Sequence, residues 1–466
     1  MKTSILKINK SRSGKLFVLL TVLITMASCN KYLDVQPKGV KLLESVTDYD
    51  QWLNNYALEA SLPRELNLLS DLNDNMFISN PPLDVDGRIY IWEKQFNESV
   101  TGIAPIWSNY YQSIYLFNTV IYNVDAAENG TVQAKSSLKV EALLGRAFEY
   151  LALVNLYGKV YNPATADKDL AVPFVTALDV TDVLPSRSTV KEIYDHIIED
   201  INTALPNLPS DNANNHFRGS KGAAYSVLAR TYLYMGNYDK AAEFAQLSLT
   251  YGQNVITDYS TLQDYSQLPD LIRAPGAIYA RLSSTYQIQE IPTLSFLRSF
   301  DTKDLRLKLF YDTQGDFTFT ERGKAIYSPY GSVVYNAYPN WGTSASEMCL
   351  IIAEAAARSN NLPLAIQQLD ALRKNRFLPA DYVKFVSSNR EEIIQKVLAE
   401  RRFEFPFNGL RWFDMRRLDA EGRMNEVKRY DPSGALMSTL IPSSNRYTLQ
   451  IPVQALYFNP KWIQNP

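Results

Sequence analysis

The spacing of apolar and small residues between Ser220 and Tyr251 limits the possible folds of this chain more than any other feature. Tyr225, Leu228, Ala229, Tyr232, Gly236, Tyr238 and Ala241 recur as in the roughly 34-residue tetratricopeptide unit. Small Ala229 and Ala241 let two antiparallel helices touch, and Gly236 supplies the turn between them. A looser copy runs through Ile352, Ala353, Leu362, Ala365 and Leu369, with Asn360-Asn361 as its turn. One such unit cannot bury its own apolar face, so the pattern calls for a stack of helical pairs. The expected class is mostly α, a tetratricopeptide-like helical-repeat solenoid.

Other segments carry the same period. Tyr111, Ile114, Tyr115, Asn118, Ile121 and Tyr122 predict a helix from Trp107 to Ala127. Leu143, Ala147, Tyr150, Leu151 and Val154 predict another over Lys139 to Tyr157, ended by Gly158. A third is expected from Ser188, read as its N-cap, to Leu205. The repeat-bearing regions are therefore about 104–252 and 344–420. Between them, 253–343 is a long, irregular, loop-rich insertion with many Tyr, Pro, Gly and Ser residues.

The N-terminus predicts export. Lys2, Lys7, Lys10, Arg12 and Lys15 precede the apolar run Leu16 to Met26, which is shorter than the roughly 20 residues a spanning helix needs. Ala27 and Ser28 then lead into Cys29, the arrangement of a lipoprotein signal. Residues 1–28 read as a signal peptide, Cys29 as the lipid attachment point, and 29–39 as a lipidated tether before a single domain, 40–466. The chain has 2 Cys, so acylation of Cys29 leaves Cys349 without a disulfide partner. A net charge of −2 gives no basis for the broad basic face of a nucleic-acid binder.

Four stretches resemble one known family. Cys29-Asn30-Lys31-Tyr32-Leu33-Asp34-Val35-Gln36-Pro37-Lys38-Gly39 is similar to the opening of SusD/RagB nutrient-binding lipoproteins. Ser346-Glu347-Met348 through Ala353-Glu354-Ala355 to Arg358 resembles an internal helix of that family. Glu400-Arg401-Arg402-Phe403-Glu404-Phe405 with Gly409-Leu410-Arg411-Trp412-Phe413-Asp414-Met415-Arg416-Arg417 resembles its C-terminal motif, although Asn408 replaces the more usual Glu. Ile451-Pro452, Asn459-Pro460 and Gln464-Asn465-Pro466 resemble its closing segment. The resemblance implies a SusD-like fold on the outer membrane, facing the cell exterior. It further implies a non-catalytic binder, most often of oligosaccharides, with a SusC-like TonB-dependent transporter as partner and no cofactor. A peptide-binding lipoprotein and a lipid-anchored glycan hydrolase are the alternatives.

Sugar rings offer C–H faces to aromatic planes and hydroxyls to amides, carboxylates and guanidinium groups. Thirty Tyr and 6 Trp suit such a role. Asp74, Asn75, Asp86, Arg88, Tyr90 and Trp92 form a first candidate cluster. By analogy with the family's loop ahead of the Ser-Glu-Met helix, Tyr286, Tyr335, Tyr338 and Trp341 form a second. Asp71, Asn73 and Asn75 begin like a calcium loop, but Met76 and Pro82 break the pattern, so a polar turn is expected. His196 and His216 are the only histidines, too few for a standard structural zinc set. Glu404 and Asp414 are conceivable as a glycosidase pair, but their flanking arginines favour structural ion pairs. Arg401, Arg402, Arg411, Arg416 and Arg417 are read as fold-specifying.

Overall fold

The computed structural model describes residues 43–178, 184–252, 254–263, 267–268, 270–285, 290–315, 317–328 and 339–466. All that follows concerns the compact unit Ser45–Pro466. The signal, the tether and Cys29 lie outside the described residues, as do Tyr286, Tyr335 and Tyr338.

The structure is mostly helical, and its major helices start on side-chain caps except the two that open at Trp107 and Leu410. Helix α1 (Val46–Leu53) opens with a capping box between Ser45 and Asp48. Helix α2 spans Trp107–Asn123 and α3 spans Val132–Tyr157, the latter capped by Thr131 and ended at Gly158. Helix α4 (Val190–Ala204) is capped by Thr189 with Glu192, one residue later than the expected Ser188. The reason lies in the backbone. Ser188 N donates to Val172 O and its carbonyl accepts from Ala171 N, which holds Ser188 in an extended ladder.

Helices α5 (Lys221–Tyr234) and α6 (Tyr238–Tyr251) flank Gly236, whose φ of +73° is the left-handed turn glycine adopts most readily. Helices α7 (Ala345–Arg358) and α8 (Leu362–Arg373) flank Asn360, φ +64°, and Asn361, which caps α8. Helices α9 (Arg390–Glu404) and α10 (Leu410–Ala420) complete the set. Neighbours in sequence pack together: α2 on α3, α3 on α4, α5 on α6, α6 on α7, and α7 on both α8 and α9. Ala229, Ala241, Ala353 and Ala365 are fully buried where close helix approach needs small residues.

Leu350, Ala357, Leu369, Leu372, Ile393 and Val397 form one core between α7, α8 and α9. Burying each large aliphatic side chain stabilises by about 1.5–3 kcal/mol. The same helices carry buried charge. Arg417 donates to Glu354 at 2.6 and 2.9 Å and to Asp414 at 2.9 Å, and Arg401 joins Asp414 to Glu347 at 2.7 and 3.2 Å. Arg416 donates to the carbonyls of Asn155 and Gly158. These arginines tie α10 to α7, α9 and the end of α3.

The described residues of the 253–343 segment form turns, short helical pieces, among them Leu294–Leu297 and Leu305–Phe310, and very short strands. Strand β1 (Asn73–Asp74) pairs with β3 (Ile291–Pro292), and β2 (Ala277–Tyr279) with β6 (Thr343–Ser344), both antiparallel. Strand β4 (Tyr311–Asp312) pairs with β5 (Ile326–Tyr327). A bridge between Glu290 and Tyr327 links the first of these pairs to the third. The longest hairpin joins β7 (Val427–Tyr430) to β8 (Leu436–Leu440). Among the described residues no helix is long and apolar enough to cross a membrane.

Candidate ligand-binding site

A cleft of about 140 Å³ opens between the 253–343 segment and the start of α7. Its walls include Thr257, Tyr259, Phe310, Tyr327, Asn340, Ser344, Ser346, Arg376, Glu404 and Asn408. Tyr259 sits in a short 3-10 turn whose Asp258 side chain accepts from Ser260 N at 2.9 Å. The Arg376 guanidinium lies 4.0 Å from the Tyr259 ring centre, and Phe310 meets the ring edge-on at 5.9 Å. Burial pushes the Tyr259 phenol up to about 12 against the pull of Arg376, so it remains a protonated donor. Asn340 shapes the opposite wall: its Oδ1 accepts from Gly342 N at 2.9 Å and Arg281 N at 3.2 Å, and its Nδ2 donates to Thr343 O at 3.0 Å. Asn408 Nδ2 donates to Asn340 O at 3.4 Å.

Glu404 is fixed by Arg376, whose Nε donates to it at 2.8 Å, and by Arg306 at 3.0 Å. Burial alone would raise its pKa, but the two guanidinium groups hold the carboxylate at about 2. Asp414 is likewise held below the usual carboxylate range, its burial outweighed by Arg401 and Arg417. Neither is placed to act as a glycosidase acid, which needs a raised pKa. Among the described residues no cluster of His, Cys, Asp and Glu has the geometry to hold a metal ion.

The first sequence-derived cluster does come together, but as a structural knot. Asp74, buried, accepts from the Tyr90 hydroxyl at 3.2 Å and from Arg322 Nε and Nη2 at 2.6 Å each. Arg429 lies between two rings, 4.2 Å from Tyr90 and 4.6 Å from Trp92, and donates to backbone carbonyls of Leu68, Ser70, Asn73 and Tyr90. Trp92 is 2% exposed, Tyr90 and Trp341 1% each, so these three expected ligand rings offer no face to a ligand. Trp92 Nε1 donates to Leu69 O at 3.0 Å, and Trp341 closes over Gly409. The rings went inward because each has a close structural partner: a guanidinium for the first two, a bare glycine backbone for the third.

Asn75 and Arg88 remain partly accessible. Asn75 Oδ1 accepts from Phe77 N at 2.9 Å, while Arg88 lies 3.9 Å from both Glu93 and Glu98. Asp86 pairs with Arg64 at 3.3 Å. The expected polar turn is present at Asp71-Leu72 and also serves as an anchor. Arg411 grips Asp71 with two bonds of 2.7 Å, and Asn73 donates to Glu290 at 2.6 Å. Phe77, 90% exposed, is the accessible ring of this region and was not among the expected residues. Tyr259 and Asn340 were also missed. Asn340 precedes Trp341, so the loop was found but the amide rather than the indole lines the cleft. For Tyr259 nothing in the local pattern marks it out among 30 tyrosines.

Comparison with known proteins matches two family models. Residues 31–233 match one described as "Starch-binding associating with outer membrane", and residues 345–466 match the SusD family. A SusD-like protein of Formosa agariphila, named P2, is 24% identical over 96% of this chain and 98% of its own. Among solved structures, a SusD superfamily protein from Bacteroides thetaiotaomicron superposes with a TM-score of 0.71 at 20% identity, covering 91% of this chain and all of its own. A SusD-like carbohydrate binding protein from Bacteroides vulgatus gives 0.67 at 18% identity, covering 90% of this chain and 97% of its own.

Proposed function

The chain belongs to the SusD/RagB family, and on that premise we propose that it is a non-catalytic oligosaccharide-binding lipoprotein of the outer membrane. The observation that carries the binding reading is the cleft, where Tyr259 stands among the amides and hydroxyls of Asn340, Asn408, Ser344 and Ser346. That mixture of ring face and neutral hydrogen-bonding groups suits a sugar. The arginine-locked states of Glu404 and Asp414 support binding without hydrolysis. Asn75 and Arg88 are proposed as accessory polar contacts. In the same reading Cys29 carries the lipid, the protein faces the cell exterior, and a SusC-like TonB-dependent transporter receives the ligand.

Calorimetric titration of the detergent-solubilised full chain with a panel of oligosaccharides tests this, beside an assay for reducing ends. Saturable binding without new reducing ends is the expected result. Sugar release that disappears in Glu404→Gln would replace the reading with a hydrolase. Retention in the membrane fraction that survives Cys29→Ser would remove the lipid anchor from it.

A further inference from the structure

Among the described residues that line the cleft, the charged ones are Arg376 and Glu404, and they neutralise each other. A guanidinium has five N–H donors, and Arg376 uses all of them. Nε and Nη2 donate to Glu404, Nη2 also to Ser346 Oγ at 3.4 Å, and Nη1 to the carbonyls of Thr257 at 2.7 Å and Asn375 at 3.2 Å. Glu404 is equally committed, since both its oxygens accept from Arg376 and one also from Arg306. Behind the wall the balance continues. Arg306 donates to Asp304 and Glu400 at 2.6 Å each, and Arg373 lies 3.4 Å from Glu400. Three guanidinium groups thus face three carboxylates. The other polar groups on the lining are hydroxyls and amides, with the Tyr259 phenol protonated at any physiological pH.

We infer that the ligand portion held in this cleft is an uncharged sugar ring, and that rings carrying a carboxylate or sulfate are rejected. This rests on the oligosaccharide-binding reading above. An anion entering the cleft would give up water and find no uncommitted cation, a desolvation that nothing there offsets. A cationic amino sugar would find no uncommitted carboxylate. A neutral ring loses only hydroxyl hydration, which Thr257, Ser344, Ser346 and Asn340 replace.

The detergent-solubilised full chain is titrated with length-matched neutral, uronate and sulfated oligosaccharides. At least one neutral series binds, and its uronate and sulfated counterparts bind at least about tenfold more weakly. Tyr259→Ala weakens the neutral ligand by a similar factor. Glu404→Gln, which leaves Arg376 unmatched, raises uronate affinity relative to neutral. Uronate binding as tight as neutral binding in the unaltered chain overturns the inference and leaves the oligosaccharide reading standing. Neutral binding that ignores Tyr259→Ala overturns the placement in the cleft. If no oligosaccharide binds at all, the functional reading itself falls and this inference with it. Should Glu404→Gln fail to fold, the comparison of ligands on the unaltered chain still decides.

Discussion

Glu149 stands in the middle of α3, fully buried, and among the described residues neither of its carboxylate oxygens has a hydrogen-bond partner. The Tyr110 hydroxyl, which feels the Glu149 charge, is also unpartnered, and the Ser61 hydroxyl lies near Glu149 without a well-formed bond to it. Burial pushes the Glu149 carboxyl up to about 7, opposed by the Arg281 charge and weakly by Ser61. The consequence for stability has a definite sign. A carboxyl whose folded pKa lies above its unfolded value of about 4.5 makes the native state bind more protons than the unfolded one. Stability is therefore fully present below about pH 4.5 and falls as pH rises from there to about 7. At about 1.4 kcal/mol per unit, the loss amounts to roughly 3 kcal/mol by pH 8. Glu149→Gln keeps the shape and cannot ionise, so this contribution vanishes in the variant. Denaturant titrations of both proteins at pH 5 and pH 8 give the comparison. The variant should gain roughly 2.5 kcal/mol relative to the unaltered chain between the two pH values, a little of the loss being already present at pH 5. An unchanged difference between the proteins at pH 5 and pH 8 would refute the reasoning, because it would mean that Glu149 ionises as easily folded as unfolded.

Four further tests probe other parts of the structure. Trp92→Ala removes a buried ring from beside Arg429 and a hydrogen bond to Leu69, and should lower stability by about 3–5 kcal/mol in a denaturant titration. Phe77→Ala, on the accessible ring, should stay within about 0.5 kcal/mol. Gly409→Ala places a Cβ 2.7 Å from the Trp341 ring at a φ of +80°, and should cost more than about 1 kcal/mol, read as a lowered Tm. Burial pushes the Cys349 thiol up to about 11, so at neutral pH it should resist alkylation in the folded protein and react promptly in denaturant.

The helices were legible in the sequence because their causes are local. Apolar spacing, Gly236 and the Asn360-Asn361 turn all act within a few residues of where they stand. Two starts shifted: Ser188 gave way to Thr189 through pairing with 171–172, and α3, expected from Lys139, opens at Val132 on its Thr131 cap. The candidate binding residues were less legible because exposure is decided by distant chain. Tyr90 and Trp92 look like a ligand platform until Arg429, from the far end of the sequence, fills the space between them. Trp341 and Asn340 are adjacent, yet one is sealed against Gly409 and the other lines the cleft.

That contrast matches how the chain divides its labour. Most of the helices, though not α6, and the buried arginine–carboxylate ties of α7, α9 and α10 lie in 31–233 and 345–466, the segments matched by the family models. Most of the cleft wall, from Val255 to Ser344, lies between those segments. Short strands and helical pieces there are tied to the helical body at several points, among them β1 to β3, Asn73 to Glu290, Arg306 to Glu400 and Glu404, and the Phe296 and Phe300 rings on Phe403. Substitution of a cleft side chain outside these ties, such as Thr257, therefore alters the cleft surface without disturbing the core between the helices. The exceptions are Arg376 and Glu404, which belong to the scaffold and to the cleft at once. Because their pairing holds the fold together, the neutrality they impose on the cleft is the property of the site least free to change.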